Sequence, residues 1–189
     1  MAEEKLSRAV VRTRQALVSA LLSGIEEAGF QKTTVNDLCE RALVSRATFY
    51  THFEDKYHLL RYAMENMSET LRRTATGQDD IGAQIKAMLD QIESRPRLFK
   101  NLFLDDSSFE LQRMFSMSVV DRLAQLLEAR QMAGELPEDI SPTMLALFAS
   151  GGMAHLITWW ISGDMVTPKG EMIRDILAIF RMTGMPKVC

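Results

Sequence analysis

The sequence predicts an all-α chain of about nine helices, arranged as a small N-terminal three-helix unit followed by a larger helical bundle. Apolar residues recur at i, i+3, i+4 and i+7 through most of the 189 residues. Capping residues and prolines stand where those periodic runs begin. No run alternates apolar and polar residues as a half-buried strand would. A hydrophobic content of 47% with 25% charged residues is ordinary for a globular protein of this length.

The elements follow in order. The first helix spans roughly residues 8–28, with Leu17, Leu21, Leu22, Ile25 and Ala28 on one stripe and Gly29 ending it. Phe30 folds back as an anchor. Thr34 caps a second helix over about 35–42, and Asp37 completes a capping box. Ser45 caps the third, about 46–52, and Asp55 the fourth, about 56–75. The segment TATGQDD then breaks the pattern. Five helices remain. One covers about 80–93, a short one follows Pro96, and one opens at Ser107 with Glu110 and runs to about 132. Another opens at Ser141–Pro142, and the last opens at Thr167–Pro168 and closes before Gly184 and Pro186. The expected division is 1–62 and 63–189, near the start of the fourth helix.

Several function classes recede at this point. Two cysteines, Cys39 and Cys189, give no disulfide framework, and a reducing cytoplasm is the simpler setting. The charged N-terminus, MAEEKLSRAVVR, is not a secretory signal. The stretch Ile140–Gly163 lacks Asp, Glu, Lys and Arg and is long enough to span a bilayer. Its Ser, Thr, Gly and His residues dilute that signal, so a buried helix or a subunit interface explains it better than a membrane. No nucleophile elbow, phosphate-cradling glycine loop or His-Glu-x-x-His helix is present, so no enzyme is expected. His52 and His58 are six residues apart, a poor helical spacing for a shared metal. No cofactor is expected either.

The net charge of −3 is not that of a generic nucleic-acid binder, but the charge is unevenly placed. Residues 1–60 balance eight basic against eight acidic side chains, and the remainder carries the whole deficit. A neutral first third binds DNA if its basic spots converge on one face.

The third helix has the make-up of a groove reader. Phe49 points to the other helices, supported by Val44, while Ala47, Tyr50 and Thr51 lie opposite with Thr48 on the flank. Small residues let the backbone approach base edges, and Ala47 and the Thr48 methyl suit a thymine methyl. Arg46 can bond a guanine in two places. Tyr50 and His52 suit phosphates. Lys56, in the first turn of the fourth helix, opposes the macrodipole, which makes sense if an anion binds there. Thr33 and Thr34 offer hydroxyls and amides at another helix N-terminus. Each of these residues alone fits a half-buried or solvated surface position; together they fit a duplex.

The run EEAGF, TTVNDLCERA, VSRATFYTHF and DKYHLL resembles the N-terminal DNA-binding domain of the TetR family of bacterial transcriptional regulators, over roughly residues 12–62. The resemblance implies a helix-turn-helix whose DNA contacts fall on Thr34, Arg46, Ala47, Thr48, Tyr50, His52 and Lys56. One departure stands in the turn, where the family usually has glycine and this chain has Leu43; a positive φ there costs leucine on the order of 1 kcal/mol. The resemblance further implies a C-terminal domain that dimerises and often holds a small-molecule effector. The run HLITWWISGDM followed by MIRDIL is similar to the C-terminal domain of a TetR subset related to dihydroxyacetone-kinase regulators.

The bundle's own residues suggest where these tasks fall. Ala146, Ser150 and Ala154 line one face of the 142–162 helix, and Ile173, Ile176, Leu177 and Phe180 form a stripe on the last. Together they could make a four-helix interface with a twofold mate. Twelve of thirteen methionines lie after residue 60, which suits an adaptable apolar pocket. Phe99, Phe103, Phe109, Met114, Phe115, Phe148, His155 and Trp159 are its candidate lining, although taken singly each is better explained as a core or interface residue. The expected function is a cytoplasmic, homodimeric DNA-binding regulator, a repressor of a palindromic operator released by a small apolar effector. Two other classes stay open: a co-activator acting through a protein partner, and a helical small-molecule carrier or enzyme.

Overall fold

The computed structural model describes residues 8–74, 81–104, 120–121 and 123–182. Among these residues every regular element is an α-helix: α1 Arg8–Ala28, α2 Val35–Ala42, α3 Arg46–His52, α4 Lys56–Thr74, α5 Ile81–Ser94, α6 Pro96–Phe103, α7 at 120–121 and 123–132, α8 Pro142–Ser162 and α9 Lys169–Met182. The order and nearly every boundary match the periodicity. The expected opening of α7 at Ser107 and Glu110, and the closure at Gly184 and Pro186, lie outside the described residues. The chain divides after Met67 into two compact units.

In the first unit the caps do what their chemistry predicts. Gly29 ends α1 at φ 87°, its amide bonded to the Ile25 carbonyl at 2.9 Å. Thr34 and Asp37 form a reciprocal capping box on α2. The Ser45 hydroxyl accepts from the Thr48 amide at 3.0 Å, and Asp55 accepts from the His58 amide at 2.7 Å. Leu43 takes the left-handed conformation (φ 55°, ψ 42°). Its amide bonds the Glu40 carbonyl and the Val44 amide bonds the Cys39 carbonyl, the pair of bonds that closes a helix in a Schellman turn.

The core beneath is apolar and aromatic. Leu17, Leu21, Ile25, Phe30, Leu38, Phe49, Phe53 and Leu59 are all fully buried. Phe30 meets Tyr57 edge-on at 5.0 Å, and Phe53 lies 5.4 Å from Tyr62. The Arg14 guanidinium sits over both Phe53 and Tyr62, at 5.7 and 5.2 Å from the ring centroids. Gly24 lets α1 approach the turn before α2, because a Cβ there would meet the Thr33 methyl at 2.8 Å. Arg41 on α2 grips Glu27 on α1 through two hydrogen bonds of 3.0 and 2.6 Å.

In the second unit α5 packs against α6 and α9, and α6 against α8. Leu89, Ile92, Leu98, Ile157, Trp160, Ile161 and Ile176 are buried to 2% exposure or less. The Trp160 indole donates to the Thr167 carbonyl at 2.8 Å, so this buried ring leaves no polar atom unmatched. A separate cluster joins Val120, Ala124, Leu127, Leu136 and Ala146. Lys169 ties α9 to α5 through Asp90 and Glu93, and hydrogen bonds from Lys169 and then Lys86 hold the Asp90 carboxyl below the usual carboxylate range. α8 starts as expected, with Ser141 capping and Pro142 first. Helix α9 starts one residue later than expected, because the Pro168 carbonyl already accepts from the Met172 amide.

The faces of α8 differ from expectation. Ala146 and Ser150 turn inward and are buried within the protomer, Ala146 against α7, and Ala154 is half-buried. Ile176 on α9 is likewise internal, while Ile173, Leu177 and Phe180 are half-buried. The small side chains therefore admit neighbours from the same chain. The outward face instead carries Met144, Leu147, Phe148, Gly151, Gly152, His155 and Trp159. Three of the proposed pocket residues, Phe148, His155 and Trp159, are exposed on α8 in the protomer, with Phe148 at 70%. Phe99 and Phe103 are internal and stack on each other at 6.3 Å. Phe109, Met114 and Phe115 lie outside the described residues. By length and composition α8 alone among the described helices could cross a membrane.

Candidate nucleic-acid interface

The third helix has one buried face and one open face. Phe49 is fully buried and fixes the rotation of α3, and Phe53 just beyond it is buried at 6.0 Å from the Phe49 ring. Arg46, Ala47, Tyr50 and Thr51 are exposed, and Thr48 and His52 are half-buried. The expected outward set therefore shares one side of a seven-residue helix. Thr51 turns its hydroxyl back to the Ala47 carbonyl at 2.9 Å, so it presents mainly its methyl.

Arg46 does not swing freely. One guanidinium nitrogen donates to the Asn36 side-chain oxygen on α2, and the other donates to the Tyr50 hydroxyl at 3.3 Å. The guanidinium carbon lies 5.7 Å from the Tyr50 ring centroid. Sequence patterning missed Asn36, because an exposed asparagine on a short helix carries no periodic signal.

Two of the expected phosphate contacts, Thr33 and Lys56, are engaged in bonds within the protein. Thr33 is 3% exposed; its hydroxyl donates to the Gly29 carbonyl at 2.9 Å and its amide to the Phe30 carbonyl. Its side chain is a packing element. Lys56 places its ammonium against three carbonyl oxygens, those of Phe30, Gln31 and Thr33, at 2.9, 3.2 and 3.1 Å. An ammonium has three N–H donors. All are engaged, and the charge also sits 4.5 Å from the Phe30 ring centroid. The lysine that opposes its own helix dipole is explained by the carbonyls it holds. Burial pushes its pKa down.

Thr34 is exposed but committed. Its hydroxyl donates to the Asp37 carboxylate at 2.7 Å and its amide does so at 2.9 Å. These bonds hold the Asp37 carboxyl below its ordinary pKa. The N-terminus of α2 thus carries its own anion, which lowers its pull on a phosphate. Among the described residues no group of three or more His, Cys, Asp or Glu side chains could hold a metal.

Comparison with known proteins decides the family. Residues 17–63 match the model of bacterial regulatory proteins of the tetR family, and residues 79–181 match a transcriptional regulator C-terminal region. The chain belongs to the TetR family. It is 37% identical to the "Probable acrEF/envCD operon repressor" of Escherichia coli K12, with 90% of this chain and 87% of that one covered. The fold is that of a "Putative TetR-family transcriptional regulator" from Syntrophomonas wolfei, at a TM-score of 0.72 and 16% identity, covering 92% and 95% of the two chains. It is also similar in fold to the dihydroxyacetone kinase operon activator DhaS, at a TM-score of 0.62 and 14% identity, covering 91% and 96%. The TetR family consists of DNA-binding transcriptional regulators rather than enzymes, and the helix-turn-helix is α2 and α3.

Proposed function

We propose that this TetR-family chain is a cytoplasmic homodimer that represses transcription from a palindromic operator. Residues 1–62 bind the DNA, and residues 63–189 form the dimer and receive a small apolar effector. The observation that carries the reading is the open face of α3. Its buried side is locked by Phe49, leaving Arg46, Ala47 and Tyr50 exposed together. With Thr48 and His52 on its flanks, that face can enter a major groove while the rest of the unit meets the backbone.

The dimer is supported by the outward face of α8. Phe148 and Trp159 are 70% and 54% exposed, and Met144 is 67% exposed, so one side of α8 presents large apolar side chains to water. An isologous contact between two copies would cover it. Effector binding would act by favouring one separation of the two reading heads over another. The E. coli relative supports repression by its description, and the C-terminal run similar to dihydroxyacetone-kinase regulators supports membership of that subset.

Purified protein mixed with genomic fragments at two salt concentrations tests the reading in a mobility-shift assay. Specific, salt-sensitive binding to a twofold site is expected. Substituting both Arg46 and Tyr50 by alanine should remove it and leave the dimer intact. Undiminished binding by the double variant overturns the site. A second reading, action through a protein partner, is favoured by the engaged Lys56 ammonium and the Asp37 carboxylate on α2, and it takes over if no fragment is bound.

A further inference from the structure

The contact between Asn36 and Arg46 joins the two helices of the reading head. Asn36 lies in the first turn of α2 and Arg46 is the first residue of α3. The Asn36 oxygen accepts from one guanidinium nitrogen, and the Tyr50 hydroxyl accepts from the other at 3.3 Å. The Tyr50 ring lies beside the same group, 5.7 Å from its central carbon. All three residues are exposed, so no burial forces this posture. A guanidinium has five N–H donors in a planar fork. Two are engaged here, and three remain for a ligand.

An exposed arginine samples many rotamers, and ordering it on binding weakens the contact it makes. An arginine already held by two acceptors on different helices loses far less. Its fork also keeps a fixed direction relative to α3. Fixed direction matters for a base edge, where two parallel bonds must reach the O6 and N7 of one guanine. It matters little for a phosphate, which accepts from many angles.

We propose that Asn36 is a positioning residue that sets base specificity: with Tyr50 it holds the Arg46 fork aimed at one guanine in each half-site. The proposal rests on the DNA-reading function of α3. Asn36 acts through Arg46. Its loss removes a preference for one base pair and leaves the sequence-independent attraction to phosphates unchanged.

Selection from a pool of random duplexes, performed in parallel with the full-length wild type, N36A, R46A and N36D, tests this. The wild type is expected to enrich a twofold site with a guanine at one symmetric position. Both R46A and N36A should lose that guanine preference by about tenfold, within the range of one bidentate contact. The other positions, the salt slope and the affinity for an unselected duplex should be the same in N36A as in the wild type. N36D keeps an acceptor oxygen in place, so it should retain the guanine preference at lower overall affinity. Equal weakening of N36A toward every sequence overturns the proposal, since a structural or phosphate-contacting residue behaves that way. Loss of a preference in N36A at a base pair that R46A still reads also overturns it, because Asn36 then contacts a base itself. Failure of the wild type to enrich any site defeats the DNA-reading function as well, which separates that failure from one confined to Asn36.

Discussion

Replacing Leu43 by glycine should make the protein more stable although it deletes a leucine side chain. Leu43 sits at φ 55° and ψ 42° and is 93% exposed. A left-handed conformation costs an L-residue with a Cβ about 1–2 kcal/mol. Glycine avoids that cost but gains freedom in the unfolded chain worth about 0.4–1 kcal/mol. The side chain is almost wholly in water, so truncation loses almost no burial. The net gain is about 0.5–1 kcal/mol. For a chain of this size that raises the melting midpoint by roughly 1–4 °C. Calorimetry and urea unfolding of wild type, L43G and L43A measure it. Alanine has the same backbone penalty as leucine, so L43A should melt within about a degree of the wild type. If L43G melts at or below the wild type, or if L43A falls well below it, the leucine makes stabilising contacts and the strain argument is refuted.

Three further outcomes follow from individual contacts. G24A should destabilise by about 1–2 kcal/mol despite the better helix propensity of alanine, because its Cβ would lie 2.8 Å from the Thr33 methyl and 3.0 Å from a hydroxyl bonded to Gly29; urea unfolding should show the loss shrinking in the G24A/T33S double variant, where that methyl is gone. The carboxyls of Asp90, Asp37 and Asp164 are all held below their ordinary pKa, by bonds from Lys169, Thr34 and Lys100 respectively. A depressed folded-state pKa gives stability that is present above the unfolded value and lost as pH falls through the folded one. Thermal melts of wild type and D90N should therefore differ at pH 7 and converge as the pH falls through the depressed folded-state pKa of Asp90. F148E, which places a charge on the exposed face of α8, should raise the dimer dissociation constant by about thirtyfold or more in sedimentation equilibrium while leaving the melt of the monomer nearly unchanged.

Helices were legible because their signals are local. Thr34, Ser45, Asp55 and Ser141 each cap the helix they precede, and Gly29 ends the one before it. The outward set on α3 was legible too, since Phe49 alone fixes the helical phase. Long-range geometry was not. Whether Lys56 finds a phosphate or the carbonyls of Phe30, Gln31 and Thr33 depends on residues 23 to 26 positions away. The inward turn of Thr33 depends on the missing Cβ of Gly24. On α8 both faces are apolar, so composition could not say which faces the protomer. The spacing of the small residues suggests an outward face, yet Ala146 and Ser150 pack inside and the large side chains face out. Leu43 was flagged by resemblance alone, and its positive φ shows that the turn keeps the backbone that glycine would favour.

A hydroxyl-radical footprint of the purified protein on a fragment it binds tests the reading head most directly. The expected pattern is two protected tracts related by a twofold axis, about ten base pairs or a multiple apart, both lost in the R46A/Y50A variant. A single tract, or protection that survives the double substitution, would contradict the assignment of α3 as the reading element of a symmetric dimer.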